Sequence, residues 1–283
     1  MQQYINMNGK HYKAGEPVLH HTNRAFQYGD ALFETMHANG KQVQFFNDHM
    51  QRLITAMGML RMEVPSRIKT HGIEQEITRL LHTNRHLKGA RVRMTVFRNP
   101  GGKYAPADLS CSYLIETEAL ERDIYGLNEK GLIIDVFSLL KKPLTPFSNL
   151  KTTNDLIYIM AGIHKNEKGL GECLLINTRD EITEAIHFNV FLVSNNVIHT
   201  PPLASGCMNG IMRKKIIEYA REAGYEVRDR EPLALDNFLH ADEVFLTNAV
   251  KGLQWVSGIQ KKRYFKGTAK KLLGLLNEKT AID

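Results

Sequence analysis

The sequence predicts an α+β protein of two domains, and three observations support this. The chain has 283 residues, which is longer than most single cores and suits two domains. Both halves contain strand-like alternation of apolar and polar residues as well as apolar residues at helical spacing. A charged, weakly periodic stretch at 118–128 reads as a linker, so we place the domains at 1–119 and 120–283.

The first half begins with a hairpin pattern. Strands at 4–8 and 10–12 would turn at Asn8 and Gly9, a favoured pair for a two-residue turn. A second hairpin is predicted through Asn39 and Gly40, and Asn47 or Asp48 is expected to cap the helix that follows. Further along, the spacing predicts a helix at 73–83 and strands at 91–98 and 112–117.

The second half begins with an extended apolar run at 132–140. Apolar residues at helical spacing then predict a helix that carries Lys151 in its first turns and ends at Gly169. Paired strands are predicted at 172–177 and 181–193, a helix that ends at Gly224, a strand at 242–249 and a C-terminal helix around 270–276.

Composition excludes several classes of protein. Hydrophobic residues make up 43% and charged residues 24%, which is ordinary for a globular protein, and no apolar run is long enough for a membrane span. No signal peptide is expected, and three scattered cysteines fit a reducing, cytoplasmic compartment without disulfides. No Cys/His spacing indicates a metal site. The net charge of +7 is dispersed, which favours anionic small molecules over nucleic acid as partners.

Four features form one chemical set. Lys151, at the start of an apolar helix, is a candidate nucleophilic amine, because desolvation lowers the pKa of an amine. Glu184 lies in an apolar strand, where a carboxylate needs a cation or a donor. The small residues before Ile211 open a helix whose N-terminus suits phosphate, and Arg52 is a further cation. An amine, a carboxylate and a phosphate site together fit pyridoxal phosphate.

The chain resembles the fold-type IV pyridoxal-phosphate enzymes, which include branched-chain and D-amino-acid aminotransferases and 4-amino-4-deoxychorismate lyase. The resemblance runs nearly end to end. It is carried by the following motifs: Arg24-Ala25-Phe26-Gln27-Tyr28-Gly29-Asp30 with Phe33-Glu34-Thr35; His49-x-x-Arg52-Leu53; Lys151-x-x-Asn154; Glu184 followed by Asn189; Pro201-Pro202-Leu203 with Ser205-Gly206-Cys207 and Gly210; and Asp242-Glu243-Val244-Phe245-Leu246-Thr247-Asn248.

This resemblance implies a smaller N-terminal and a larger C-terminal α/β domain that carries the lysine, with two subunits that form a homodimer. Lys151 would form the Schiff base and move the proton, and Glu184 would pair with the pyridine nitrogen. The remaining residues implied for the cofactor are Arg52, Asn189, Gly210, Ile211, Met212 and Asn248. Those expected at the substrate are Tyr28, Glu34, Ala249, and Arg93 or Arg98 for a substrate carboxylate, with Lys103 as a further candidate.

The departures from the family concern the substrate. Branched-chain aminotransferases have a tyrosine where this chain has Leu156 and a threonine where it has Ala249, and His187 follows the glutamate in place of a small residue. The first two features favour the lyase or D-amino-acid branch. We nevertheless expect transfer of an amino group from an amino acid to a 2-oxo acid, because transamination is the commoner activity of the group that the chain resembles. The alternatives are the lyase reaction, which releases pyruvate and 4-aminobenzoate, and a non-catalytic binding protein on the same scaffold.

Overall fold

The computed structural model describes residues 2–39, 42–70 and 72–281, and their helices and strands make an α+β protein. The chain forms two compact units. The smaller unit comprises Met1–Ile124 with Lys151–Asn154, and the larger comprises Tyr125–Leu150 with Asp155–Asp283.

Within the described ranges, the smaller unit contains a five-stranded antiparallel sheet in the order β2-β1-β5-β4-β3. Its elements are β1 (Tyr4–Met7), β2 (Lys10–Lys13), α1 (Arg24–Tyr28), β3 (Ala31–Ala38), α2 (Phe46–Met59), α3 (Ser66–Lys69), α4 (Gly72–Thr83), β4 (Ala90–Arg98) and β5 (Cys111–Ala119).

The first hairpin and β4 form as their patterns predict. Met7 pairs with Lys10 across a turn in which Asn8 and Gly9 both have positive φ, 52° and 89°. In β4 the alternate residues Val92, Met94 and Val96 are fully buried. The alternation therefore supplies one apolar face of the sheet to the core.

The start of α2 and the second hairpin differ from the prediction. The N-cap of α2 is Phe45, with φ 55°, so the helix begins before Asn47 and Asp48. The predicted second strand of the hairpin is reduced to an isolated bridge between Ala38 and Val43, because the chain turns into α2 immediately afterwards. Gly40, placed in that turn, lies outside the described residues.

The larger unit contains, in its described residues, a nine-stranded mixed sheet in the order β11-β10-β9-β12-β13-β6-β7-β8, with β14 paired to β13. Its elements are β6 (Leu132–Lys142), α5 (Leu156–Glu167), β7 (Glu172–Asn177), β8 (Ile182–Ala185), β9 (Asn189–Ser194), β10 (Val197–His199), a 3₁₀ turn (Leu203–Ser205), α6 (Ile211–Glu222), β11 (Val227–Arg228), α7 (Leu235–His240), β12 (Glu243–Asn248), β13 (Gly252–Ile259), β14 (Lys262–Arg263) and α8 (Gly267–Thr280).

The core of the larger unit lies on its central strands. Phe191 of β9 and Phe245 of β12 are both fully buried and stack with ring centroids 5.0 Å apart. Val190, Val244 and neighbouring aliphatic residues form an apolar cluster in this sheet. Burial of these side chains positions the ends of the strands that carry the polar residues described below.

Two predicted elements of the second half are wrong in extent. The helix expected to carry Lys151 begins only at Leu156, and the expected strand at 181–193 is divided into β8 and β9. The division occurs because Ala185 and Phe188 bond to each other's backbone across a tight turn. After this turn the chain leaves β7, the partner of β8, and pairs with β10 and β12.

The two units do not coincide with the predicted domains in two places. The smaller unit continues beyond residue 119 to Ile124, and Lys151 belongs to it rather than to the larger unit. The physical cause is backbone pairing, because Thr152 forms a bridge with Leu32 at the edge of β3.

No helix in the described part of the chain is long and apolar enough to cross a membrane.

The packing predicts opposite effects for two glycine substitutions. In Gly89→Ala the new Cβ would lie 1.9 Å from the carbonyl oxygen of Arg122, so we expect a loss of about 1–3 kcal/mol in the free energy of unfolding. In Gly274→Ala, within α8, the Cβ meets nothing within 4 Å and should stabilise by about 0.5–1 kcal/mol. Urea unfolding of both variants measures this. Equal effects would contradict the close approach at Gly89.

Candidate active site

The backbone of Lys151 is fixed by β3. Lys151–Asn154 runs beside that strand, where the N–H of Phe33 donates to the carbonyl of Lys151 (2.9 Å) and the N–H of Thr153 donates to that of Ala31 (3.1 Å). A strand edge that would otherwise be unpaired is thereby covered. The lysine is consequently held by a sheet edge and not by a helix.

The side chain of Lys151 rests on an aromatic ring. Its Nζ lies 4.0 Å from the centroid of Phe33, and Cζ of Arg93 lies 4.0 Å from the same centroid. Cations are attracted to aromatic faces, and a nearby ring also removes water from them. Arg93 on β4 and Lys151 therefore share the ring of Phe33.

The turn after α1 supports the same segment. Gly29, with φ 64°, accepts hydrogen bonds at its carbonyl from Thr153 Oγ1 (3.0 Å) and Asn154 Nδ2 (3.1 Å). A Cβ at Gly29 would lie 2.6 Å from Asn154 Oδ1, so the turn requires glycine. Tyr28, immediately before it, is half-buried against the guanidinium of Arg24. Tyr28 is therefore adjacent in sequence to the turn that holds the lysine segment.

Glu34 is enclosed by two cation-forming side chains. Its Oε1 accepts from Arg52 Nε (2.9 Å), and its Oε2 accepts from Arg52 Nη2 (2.5 Å) and lies 2.6 Å from His49 Nδ1. Burial alone would raise the pKa of Glu34, but the charge of Arg52 and the hydrogen bond with His49 outweigh it and hold the pKa at about 2. Burial lowers the pKa of His49, so its ring is neutral at pH 7.

This arrangement corrects the role expected for Glu34. The side chain is 1% exposed and its oxygens face Arg52 and His49, so it does not face a substrate. Glu34 instead orients the guanidinium of Arg52, which is 13% exposed. A bidentate carboxylate fixes the plane and direction of an arginine's guanidinium.

Arg98 also differs from its expected role. Its Nε donates to Asp30 (3.0 Å), and its Nη1 and Nη2 donate to the carbonyls of Arg61 (3.0 Å) and Leu60 (2.9 Å). The residue is buried at 6% exposure and shares Asp30 with Arg24. We therefore assign Arg98 to the packing of the smaller unit, because its donors already have acceptors.

In the larger unit, Glu184 is buried at 2% exposure with donors on both carboxylate oxygens. Oε1 accepts from Lys142 Nζ (2.5 Å) and from the hydroxyl of Tyr158 (2.8 Å), and Oε2 accepts from the backbone N–H of Met208 (2.8 Å). Burial and the adjacent carboxylate raise the pKa of Tyr158 well above its usual range, so its hydroxyl stays protonated and donates. The cation and donors expected around Glu184 are therefore present.

The sequence analysis did not identify Lys142 or Tyr158. Lys142 ends a mostly exposed stretch of β6, and Tyr158 lies on α5 seven positions after Lys151. Neither belongs to a recognisable motif. The one available signal was indirect, since a buried Glu184 demanded a cation without indicating which of the many lysines supplies it.

The start of α6 has the features of an anion site. Its N-cap is Gly210, and none of the described side chains caps it. The first N–H groups of a helix, here those of Ile211 and Met212, have no intrahelical acceptor. Asn189 stabilises the turn before α6, because its Nδ2 donates a hydrogen bond to the carbonyl of Met208 (2.8 Å). A Cβ on Gly210 would lie 1.9 Å from Asn189 Oδ1, so a larger residue would displace the Asn189 side chain.

The end of β12 forms a polar turn around Asn248. Its Nδ2 donates to the carbonyl of His187 (3.1 Å), and its Oδ1 accepts from the N–H groups of Val250 and Lys251. The carbonyl of Ala249 accepts from a tyrosine hydroxyl of the same unit. The ring of His187 is 61% exposed and lies 3.0 Å from Glu172. Across the described residues, no group of His, Cys, Asp and Glu side chains could hold a metal ion.

The low pKa of Glu34 makes stability depend on pH. Because its folded pKa of about 2 lies below the ordinary 4.5, the ionised carboxylate contributes stability above about pH 4.5 that is lost as pH falls towards 2. We expect Glu34→Gln to lose about 3 kcal/mol at pH 7, since Arg52 is left without its counter-ion.

The measurement is urea unfolding of wild type and Glu34→Gln between pH 7 and low pH. The variant should show a shallower fall in stability through the acid range. Glu74→Gln, on the exposed face of α4, is the matched control and should follow the wild type. Identical acid profiles for wild type and Glu34→Gln would show that Glu34 does not carry this dependence.

Comparison with known proteins places the chain in a family. The branched-chain-amino-acid aminotransferase of Escherichia coli K12 is 26% identical over 275 residues, with 91% of this chain and 86% of that protein covered. The aminodeoxychorismate lyase of Bacillus subtilis is 26% identical over 282 residues, with coverage of 97% and 94%. A crystal structure of the Escherichia coli branched-chain amino acid aminotransferase superposes with a TM-score of 0.87 at 25% identity and covers 98% of this chain and 93% of that one. The profile of the family described as amino-transferase class IV matches residues 31–259. The chain is a member of the class IV aminotransferase family.

Proposed function

We propose that this protein is a pyridoxal 5'-phosphate-dependent aminotransferase that transfers the amino group of an amino acid to a 2-oxo acid. The observation that carries the proposal is the placement of Lys151. Its backbone is bonded to β3, and its Nζ lies on the face of Phe33, itself only 8% exposed. An amine on a fixed backbone, with an apolar ring beside it, suits proton transfer.

The donor set present fits this cofactor. Lys151 would bind its aldehyde. Glu184, which is buried and hydrogen-bonded, would accept a hydrogen bond from its ring N–H. The uncapped N–H groups of Ile211 and Met212 would bind its phosphate, as would Arg52. Glycine at position 210 lets the Asn189 side chain approach the helix start closely, which a Cβ would obstruct. When bound, the cofactor stabilises negative charge at the substrate Cα.

The other assigned residues act around these groups. Asn189 would hold the turn before α6, and Asn248 would hold the turn after β12. Glu34 would keep Arg52 oriented.

For the substrate, we propose that Tyr28 and Ala249 line its site and that Arg93 binds a carboxylate. Arg93 shares the ring of Phe33 with Lys151, and Arg98 lies elsewhere in the smaller unit, bonded to Asp30 and to the carbonyls of Arg61 and Leu60.

A second function has specific support. Two relatives, one from Bacillus subtilis and one from Vibrio harveyi, are aminodeoxychorismate lyases. The alignment with the Bacillus subtilis protein covers 97% of this chain. Leu156 and Ala249 also depart from the branched-chain aminotransferases. In this alternative the same lysine and carboxylate would release pyruvate and 4-aminobenzoate from aminodeoxychorismate.

The assay has two arms on purified, cofactor-loaded protein. The first offers L- and D-amino acids with 2-oxoglutarate and measures glutamate. The second offers aminodeoxychorismate and measures pyruvate and 4-aminobenzoate. Glutamate alone would establish the transaminase, and pyruvate with 4-aminobenzoate alone the lyase. Activity in neither arm would oppose both.

Lys151→Ala should abolish activity in either arm, with a loss of at least about a thousandfold, because the proton-transferring amine is removed. The visible absorption that the cofactor acquires when bound to lysine should also vanish. Lys168→Ala, at the exposed end of α5, is the matched control and should retain both. Full activity in Lys151→Ala would refute the central assignment.

We also propose that the protein is a homodimer. The outward side chains of α5 form one apolar face at helical spacing, consisting of Leu156 (76% exposed), Ile159 (55%), Met160 (44%) and Ile163 (46%). The opposite face of α5 packs on Phe137 and Leu175. Contiguous exposed apolar patches mark interfaces, which supports contact of this face with a second copy.

Ile159→Glu tests the dimer. A two-fold interface contains each substitution twice, so a charge here should weaken association by at least about tenfold. Light scattering after gel filtration should give twice the chain mass for wild type and a lower mass for the variant. Leu87→Glu, another exposed apolar position, should remain dimeric. An unchanged dimer in Ile159→Glu would exclude this face.

The proposed partners are thus a second copy and small molecules, with neither nucleic acid nor a membrane. We infer a cytoplasmic location, supported by Cys111, Cys173 and Cys207, which are free thiols. Burial raises the pKa of the Cys207 thiol to about 12, which keeps it unreactive.

A further inference from the structure

Lys142 is a buried cation to which no role has been assigned. It ends β6 opposite Asn177 of β7, its side chain is 8% exposed, and its Nζ lies 2.5 Å from Glu184 Oε1. The preceding residue, Lys141, has the same chemistry but a different position. Its side chain is 42% exposed and pairs with Asp180 on the surface.

The pair of Lys142 and Glu184 is held in one geometry. Both side chains are less than a tenth exposed, and separating such a pair would leave a charge in low dielectric. Tyr158 holds the same oxygen, and its ring lies 5.6 Å from the ammonium. The ammonium therefore stays beside the carboxylate.

The hydrogen-bond capacity of Glu184 is not exhausted. A carboxylate oxygen has two lone pairs. Oε1 accepts from Lys142 and Tyr158, which fills it, whereas Oε2 accepts from Met208 alone among the described residues. One further donor can therefore be received at Oε2 while Lys142 remains on Oε1.

We propose that Lys142 is a positioning residue that acts through Glu184. Its ammonium shares the Glu184 carboxylate with the ring nitrogen of the cofactor, and this weakens the hydrogen bond between Glu184 and the ring N–H. This inference rests on the proposed function, in which Glu184 receives that nitrogen. Two cations that face one carboxylate repel each other. The ring N–H is therefore bound less firmly than it would be by Glu184 without Lys142.

The experiment compares two ligands that differ in one atom. Pyridoxal 5'-phosphate and its 1-deaza analogue, which has carbon in place of the ring nitrogen, keep the same aldehyde and phosphate. Their dissociation constants are measured by fluorescence on full-length protein freed of cofactor. The change in this ratio between wild type and a variant reports the interaction at the ring nitrogen, because the aldehyde and phosphate of each ligand meet the same groups in both proteins.

In Lys142→Met the preference for pyridoxal phosphate over the analogue should rise by about tenfold, because Glu184 then faces the ring nitrogen alone. Lys141→Met, the matched control, should leave the ratio unchanged. In a Glu184→Gln background, Lys142→Met should no longer alter the ratio, because Lys142 acts through that carboxylate.

An unchanged or reduced preference in Lys142→Met would overturn the inference, since a purely structural lysine lowers both affinities together. Lys142→Gln, which keeps a donor without the charge, replaces Lys142→Met if that variant does not fold, with the same expected rise. If wild type binds neither ligand, the proposed function itself fails. Binding by wild type with an unaltered ratio in the variants defeats only the role of Lys142.

Discussion

The carboxylate of Glu184 is the constraint on which the larger unit depends. A carboxylate at 2% exposure is costly unless a cation and hydrogen-bond donors compensate it. Three elements each supply one such group: Lys142 lies at the end of β6, Tyr158 in the first turn of α5, and Met208 in the segment before α6. The three groups lie 42, 26 and 24 residues from Glu184 in sequence, so compensation of one charge ties the sheet to both helices.

The smaller unit meets the same constraint with different groups. Glu34 is compensated by Arg52 and His49, both from α2, so the helix is bonded to β3 through a buried charge. Asp30 in turn is shared by Arg24 and Arg98. Buried carboxylates thus orient arginines in this unit, which explains why one arginine expected at the substrate has a structural position and why Arg52 is held by a bidentate partner.

Prediction from the sequence succeeded where local physics decides. The turn at Asn8 and Gly9 follows from positive φ, α4 and β7 follow from periodicity, and the alternation of β4 gives its buried face. The prediction failed at Lys151. The apolar spacing typical of α5 continues back to residue 150 in the sequence, but the backbone of Lys151–Asn154 bonds to β3. A periodic pattern contains no information about a partner strand more than a hundred residues away.

The sequence by itself determined the α+β class, most of the elements and the family, because turn chemistry, hydrophobic period and motif order can be read directly from the chain. It also indicated Lys151 and Glu184 as the candidate amine and carboxylate. Only the tertiary structure decided that Lys151 belongs with β3, that Arg93 rather than Arg98 lies beside its ring partner Phe33, and that Lys142 is the cation of Glu184. Those assignments depend on which side chains burial brings together, and pairing of buried charges is a property of the folded chain, since it exists only where water is excluded.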